Sequence, residues 1–181
     1  MRLWVGLVHH PVRDRQGDVI TTAITNLDVH DIARTARTYE LAGFFVITPI
    51  EAQRRLVERI LSHWRDGAGA VRVTERSEAL ARCEVIDTVE AAVAEVARRA
   101  EEPPLVVVTG ASAQGPAVSY AALREQLAGR PGLLLFGTGH GLAPSLVRAA
   151  DRVLAPIEPR SSYNHLSVRA AVAITLDRLL G

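Results

Sequence analysis

Residues 133–144 read Leu133-Leu134-Leu135-Phe136-Gly137-Thr138-Gly139-His140-Gly141-Leu142-Ala143-Pro144. A continuous apolar run that ends abruptly in glycine fits a strand buried on both faces, as in a parallel sheet covered by helices. Glycines after such a strand let the backbone pass close to a ligand and offer bare N–H groups to it. An ordinary tight turn from strand to helix accounts for the same residues, so both readings stand at this level. The spacing is GxGxG with Leu142 next, and no lysine follows, so a dinucleotide or nucleoside-triphosphate loop fits poorly.

Outward from this stretch, short apolar runs alternate with segments of helical period. Strands are expected over Leu3–Val8, Phe44–Thr48, Ala70–Val73, Val85–Asp87, Leu105–Thr109, Leu133–Phe136 and Arg152–Ala155. Helices are expected over Asp28–Leu41, from Thr48-Pro49-Ile50-Glu51 to Arg65, and over Ser77–Arg82, Val89–Arg99, Ala117–Leu127, Pro144–Ala149 and Ser167–Leu180. Thr48 suits an N-cap, Pro49 a first helical position and Glu51 the third. This βα alternation predicts an α/β fold, a mostly parallel sheet with helices on both faces. Ligands then bind beyond the carboxyl ends of the strands, at the loops after Thr109, Phe136 and Ala155.

The chain has 181 residues, enough for one domain, expected over 1–181. Its 48% hydrophobic and 23% charged shares are those of a globular protein, not a disordered one. All 21 basic residues are arginines, which excludes a Schiff-base or P-loop lysine. A net charge of +1 carries no nucleic-acid footprint by itself. Cys83 stands alone, so no intramolecular disulfide forms, and a cytoplasmic location is expected. The apolar stretch Leu3–Val8 is short for a signal-peptide core, and no run of about 18 apolar residues offers a membrane span. Six His and one Cys show no zinc-ligand spacing, so no metal is expected.

Two further stretches are rich in polar residues. Around residues 154–171, Leu154-Ala155-Pro156-Ile157-Glu158-Pro159-Arg160 leads into Ser161-Ser162-Tyr163-Asn164-His165-Leu166-Ser167 and an apolar helix, which Asn164 can cap. Earlier, Thr25-Asn26-Leu27-Asp28-Val29-His30-Asp31-Ile32-Ala33-Arg34 opens a helix that Asn26 or Asp28 can cap. Arg34 lies beside apolar neighbours, where a guanidinium either snorkels to water or meets a phosphate or carboxylate.

Taken together, the three stretches resemble the SPOUT methyltransferases, the superfamily of SpoU-type RNA ribose methylases and tRNA guanine-N1 methylases. SpoU-type enzymes carry N-x-G-x-x-x-R-T-A, and Asp28-Val29-His30-Asp31-Ile32-Ala33-Arg34-Thr35-Ala36 falls on it. Their glycine loop is matched in outline by Phe136-Gly137-Thr138-Gly139-His140-Gly141-Leu142. Their L-N-V-S-V-A-x-A-I phrase is similar to Asn164-His165-Leu166-Ser167-Val168-Arg169-Ala170-Ala171-Val172-Ala173-Ile174, with one residue inserted. More narrowly, the combination resembles a small bacterial family of RNA methylases that also occurs fused to guanine-N1 methylases. The SpoU asparagine is Asp28 here, its glycine is His30, and the acidic residue usual in the glycine loop is absent, which leaves base methylation open.

The resemblance implies a SPOUT fold with a C-terminal deep trefoil knot, a homodimer, and S-adenosylmethionine-dependent methylation of RNA, either tRNA or rRNA. It implies a cofactor pocket made by Thr109 and Gly110, by Phe136, Gly137, Thr138, Gly139, His140 and Gly141, and by Leu154, Pro156 and Ile157, closed by Tyr163, Asn164, His165 and Leu166. Arg34 is the expected catalytic group, supplied across the dimer, with Asn26, Asp28 and His30 nearby and Arg160 as an RNA contact. A non-catalytic dimer that binds cofactor or RNA as a partner module is the alternative. A hydrolase reading rests on Gly110-Ala111-Ser112-Ala113-Gln114-Gly115, one residue too long for a nucleophile elbow.

Overall fold

The computed structural model describes residues 2–67, 70, 73–111 and 116–181. Seven strands form one sheet in which every neighbouring pair is parallel. These are β1 (Leu3–Val8), β4 (Gly43–Ile47), β5 (Cys83–Ile86), β6 (Leu105–Val108), β7 (Ala117–Val118), β8 (Gly132–Gly137) and β9 (Arg152–Leu154). Their spatial order is β5-β4-β1-β8-β6-β9-β7. A separate antiparallel pair, β2 (Val12–Arg13) and β3 (Val19–Ile20), lies between β1 and the first helix.

Side-chain alternation along the central strands decides which helix goes where. Leu3, Val5 and Leu7 of β1, Phe44 and Val46 of β4, and Leu134 and Phe136 of β8 point to one face. There they meet α1 (Asn26–Thr38), α2 (Glu51–Arg65), α3 (Thr74–Leu80), α5 (Tyr120–Leu127) and α7 (Val168–Leu180). Trp4, Val8, Phe45, Ile47, Leu133 and Leu135 point the other way, onto α4 (Val89–Ala100) and α6 (Pro144–Ala149). Burying each of these large side chains contributes roughly 1.5–3 kcal/mol before the entropy of ordering it is subtracted. With both faces covered the strands are apolar throughout, which is why their sequences do not alternate. Cys83 is fully buried, and that burial pushes its thiol far above the ordinary range.

Several local expectations need correction. The helix expected from Ala117 begins at Tyr120, capped by Ser119, because Ala117 and Val118 pair with Val153 and Leu154 at the sheet edge. Thr48 does not cap α2. It is completely buried, and Ile50 takes the cap position without a side-chain bond. The first helix is capped by Thr25, not Asn26 or Asp28, and ends before Glu40, which adopts a left-handed φ of 54°. Ser167, not Asn164, caps α7. Residues 71–72 of the strand expected at Ala70–Val73, and residues 112–115 of the hydrolase motif, lie outside the described ones. Among the described residues no helix is long and apolar enough to cross a membrane.

Candidate functional site

The carboxyl ends of β6, β8 and β9 open into a cleft of about 670 Å³, within the range of small-molecule sites. Thr109 and Gly110 follow β6, Phe136 to Gly141 close β8, and Leu154 to Ile157 close β9; all line the cleft. Asn164, His165 and Leu166 line it from the approach to α7, and Asn164 Nδ2 donates to the Ala111 carbonyl at 2.9 Å. The sequence-expected cofactor residues other than Tyr163 therefore converge, although they are spread over nearly 60 positions of chain.

The glycine loop owes its shape to two left-handed positions and to a strap. Gly139 has φ 60° and Gly141 φ 99°, a region that side chains disfavour. A Cβ on Gly139 would stand 2.8 Å from the Arg13 carbonyl oxygen, so the loop packs directly on the β2–β3 hairpin. Arg13 N–H donates to Gly141 O at 2.8 Å, and His140 N–H returns a bond to Arg13 O at 2.9 Å. Thr138 donates its hydroxyl to Val8 O at 3.1 Å and contacts the Thr22 hydroxyl, whose oxygen lies 3.0 Å from His9 Nδ1.

These bonds engage the Thr138, His140 and Gly141 amides. Among the described residues no partner is found for the N–H groups of Gly139 and Ile157, both on the cleft lining. Beside them Phe136 and Leu154, almost completely buried, supply apolar surface. Free backbone donors over an apolar floor suit a purine, whose faces are apolar and whose edge is polar.

One end of the cleft is charged. Asp28, with its side chain only 9% exposed, accepts from Arg169 Nη1 at 2.8 Å on Oδ1 and from the Thr25 hydroxyl at 2.6 Å on Oδ2. Arg169 Nε also lies 3.3 Å from Asp31 Oδ2. His9 is completely enclosed; burial lowers its pKa to about 4 against the opposing field of Asp28, and its Nε2 has no partner among the described residues. His9 is therefore a neutral imidazole at ordinary pH.

The remaining expected site residues fall elsewhere. Arg34 is exposed and lines a separate shallow depression with Asp31, Thr35, Thr38, Tyr39 and Ala173. His30 turns away from Asp28 on α1 and packs edge-on against Trp64, 5.5 Å between ring centres. Desolvation, with Arg76 next, lowers its pKa. Asn26 and Arg160 are exposed and do not line the cleft. Tyr163, expected to close the pocket, is 71% exposed outside it, its ring edge-on to His165.

Sequence reasoning passed over Thr22, Tyr120, Arg169 and Thr175, which also line the cleft. Arg169 carried a signal, a lone cation at the start of an Ala-rich helix. Thr22 carried none, since its position depends on the β2–β3 pair, whose strands are two residues each.

The model of a protein family described as SAM-dependent RNA methyltransferase matches residues 2–181. A tRNA (guanine-N(1)-)-methyltransferase of Nitratidesulfovibrio vulgaris is 49% identical over 179 residues, covering 99% of this chain and 42% of that protein. One of Oleidesulfovibrio alaskensis with the same description is 42% identical, with the same coverages. The chain thus spans less than half the length of these relatives. Among solved structures, the A. aeolicus TrmH/SpoU tRNA modifying enzyme shares the fold at a TM-score of 0.59 and 16% identity, over 99% of this chain and 74% of that one.

Proposed function

The chain belongs to the family of SAM-dependent RNA methyltransferases, and on that premise we propose that it transfers a methyl group from S-adenosylmethionine to tRNA or rRNA, as a homodimer in the cytoplasm. The observation that carries this reading is the cleft itself, where three strand-end loops meet, the buried Phe136 and Leu154 lie on the lining, and the Gly139 and Ile157 amides find no partner among the described residues.

The residues present fit the cofactor. Gly139 and Ile157 would donate to the adenine edge, Phe136 and Leu154 would hold its faces, and the segment Asn164–Leu166, which lines the cleft, would cover it from solvent. Bound there, the cofactor supplies an electrophilic methyl group on a sulfonium. The protein's part is to orient the RNA nucleophile and give its proton a path. Asp28 is the carboxylate on the cleft wall and the group suited to receive that proton.

Arg34 lies outside its own subunit's cleft, on the exposed side of α1 beside Ala173 of α7. In the proposed dimer α1 and α7 face their counterparts, and Arg34 reaches the partner's cleft to bind an RNA phosphate. The exposed Leu27 and Leu166 at the starts of these helices support an apolar contact there. We infer further that the chain after β9 threads through a loop as a trefoil knot, a reading supported by the Asn164–Ala111 bond and by the single cleft shared by the β6, β8 and β9 loops.

Calorimetric titration with S-adenosylmethionine tests this directly, with Gly139→Val to fill the loop and Ile157→Arg to fill the cleft without touching a left-handed residue. Micromolar binding by the wild type, lost in both variants, is the expected result. No binding by the folded wild type overturns the reading. Binding without transfer of labelled methyl to any RNA points instead to a partner module.

A further inference from the structure

Among the described residues that line the cleft, Asp28 is the one acid and Arg169 the one arginine. They lie on different helices, α1 and α7, and are 141 positions apart, yet Nη1 and Oδ1 meet at 2.8 Å.

Stability is a weak reason for such a pair. Drawing a carboxylate and a guanidinium out of water costs about what their attraction returns, and well-packed apolar side chains serve as well. The pair is also incompletely used. Among the described residues Arg169 Nη2 has no hydrogen-bond partner, while Nη1 and Nε face Asp28 and Asp31. Thr25 pins the Asp28 carboxylate through Oδ2, so its orientation does not depend on Arg169 alone. The result is a carboxylate and a guanidinium held side by side on the wall of a cleft whose described lining residues include no other carboxylate or guanidinium.

We propose that Asp28 and Arg169 form the seat for the amino-acid end of the cofactor, Arg169 donating to its carboxylate through Nη2 and Asp28 accepting from its ammonium. An α-amino acid carries its two charges on neighbouring groups, which is the pattern that this pair complements. With Asp31 beside it, the cluster of two carboxylates and one guanidinium has a net charge of −1, which favours a ligand that is cationic overall, as the sulfonium form is. This assignment rests on the cofactor reading of the cleft and adds a role for Arg169 and a second one for Asp28.

The test compares two ligands by calorimetry, S-adenosylmethionine and 5′-methylthioadenosine, which keeps the adenosine and the sulfur but lacks the amino-acid end. Arg169→Met preserves the side-chain stem, and Asp28→Asn preserves the shape and the Thr25 contact. Each variant is expected to bind S-adenosylmethionine roughly tenfold or more weakly, the loss typical of a charge-assisted hydrogen bond, with methylthioadenosine affinity unchanged. Equal weakening of both ligands overturns the proposal and makes the pair a brace between α1 and α7. Unchanged affinity for both overturns it as well. Failure of the wild type to bind either ligand sinks the cofactor reading itself and this seat with it, a result that the variants cannot mimic.

Discussion

The Thr22 hydroxyl lies within hydrogen-bond reach of the Thr138 hydroxyl, 116 residues later, and of His9 Nδ1. It joins the end of β1, the exit from the β2–β3 hairpin and the glycine loop into one polar chain that ends at the Val8 carbonyl. The loop that lines the cleft is therefore held from below by side chains as well as by the hairpin backbone.

Replacing Thr138 by Val keeps the shape and removes the hydroxyl that serves both Val8 O and Thr22. The expected cost is about 0.5–1.5 kcal/mol, the net worth of a hydrogen bond, because the Val8 carbonyl keeps the backbone N–H of residue 138 and Thr22 keeps His9 Nδ1. Urea denaturation measures it, and a midpoint equal to the wild type's contradicts the strap.

His9 gives stability a definite pH dependence. Its pKa is about 4 in the folded chain against an ordinary 6.5, chiefly through desolvation. The unfolded chain therefore takes up the proton first as pH falls. The contribution is complete above pH 6.5 and is lost progressively toward pH 4, by about 3 kcal/mol. His9→Asn, whose amide can still hydrogen-bond Thr22, should flatten the stability curve between these values. An unchanged slope in the variant would place its origin elsewhere.

Arg34→Ala should separate stability from activity. The side chain is exposed, so thermal or urea stability should change by less than about 0.5 kcal/mol, and cofactor affinity should hold. Methyl transfer to RNA should fall by roughly a hundredfold if the guanidinium stabilises charge in the partner's cleft. Full methylation by the variant removes Arg34 from the mechanism.

Much of the fold was legible locally. Leu3–Val8 and Pro144–Ala149 have the bounds that their sequences suggest, and the remaining long elements shift by a few residues at their ends. A continuous apolar run needs no knowledge of its neighbour to be read as a doubly covered strand, and helical period is likewise a property of the run itself. The glycine loop was equally readable, since its conformation is written in the glycines. What the tertiary structure alone decided are the pairings. Ala117 and Val118, helical by period, became strand because β9 offered an edge. The two-residue strands β2 and β3 are too short for any period, and exist because they close over Gly139 and Gly141. His30, grouped with Asp28 by proximity in sequence, lies on the other flank of its helix, while Arg169 joins Asp28 from 141 positions away. Periodicity reports which face of an element is apolar; which charged side chain meets which depends on how the elements dock, and no short window of sequence contains that.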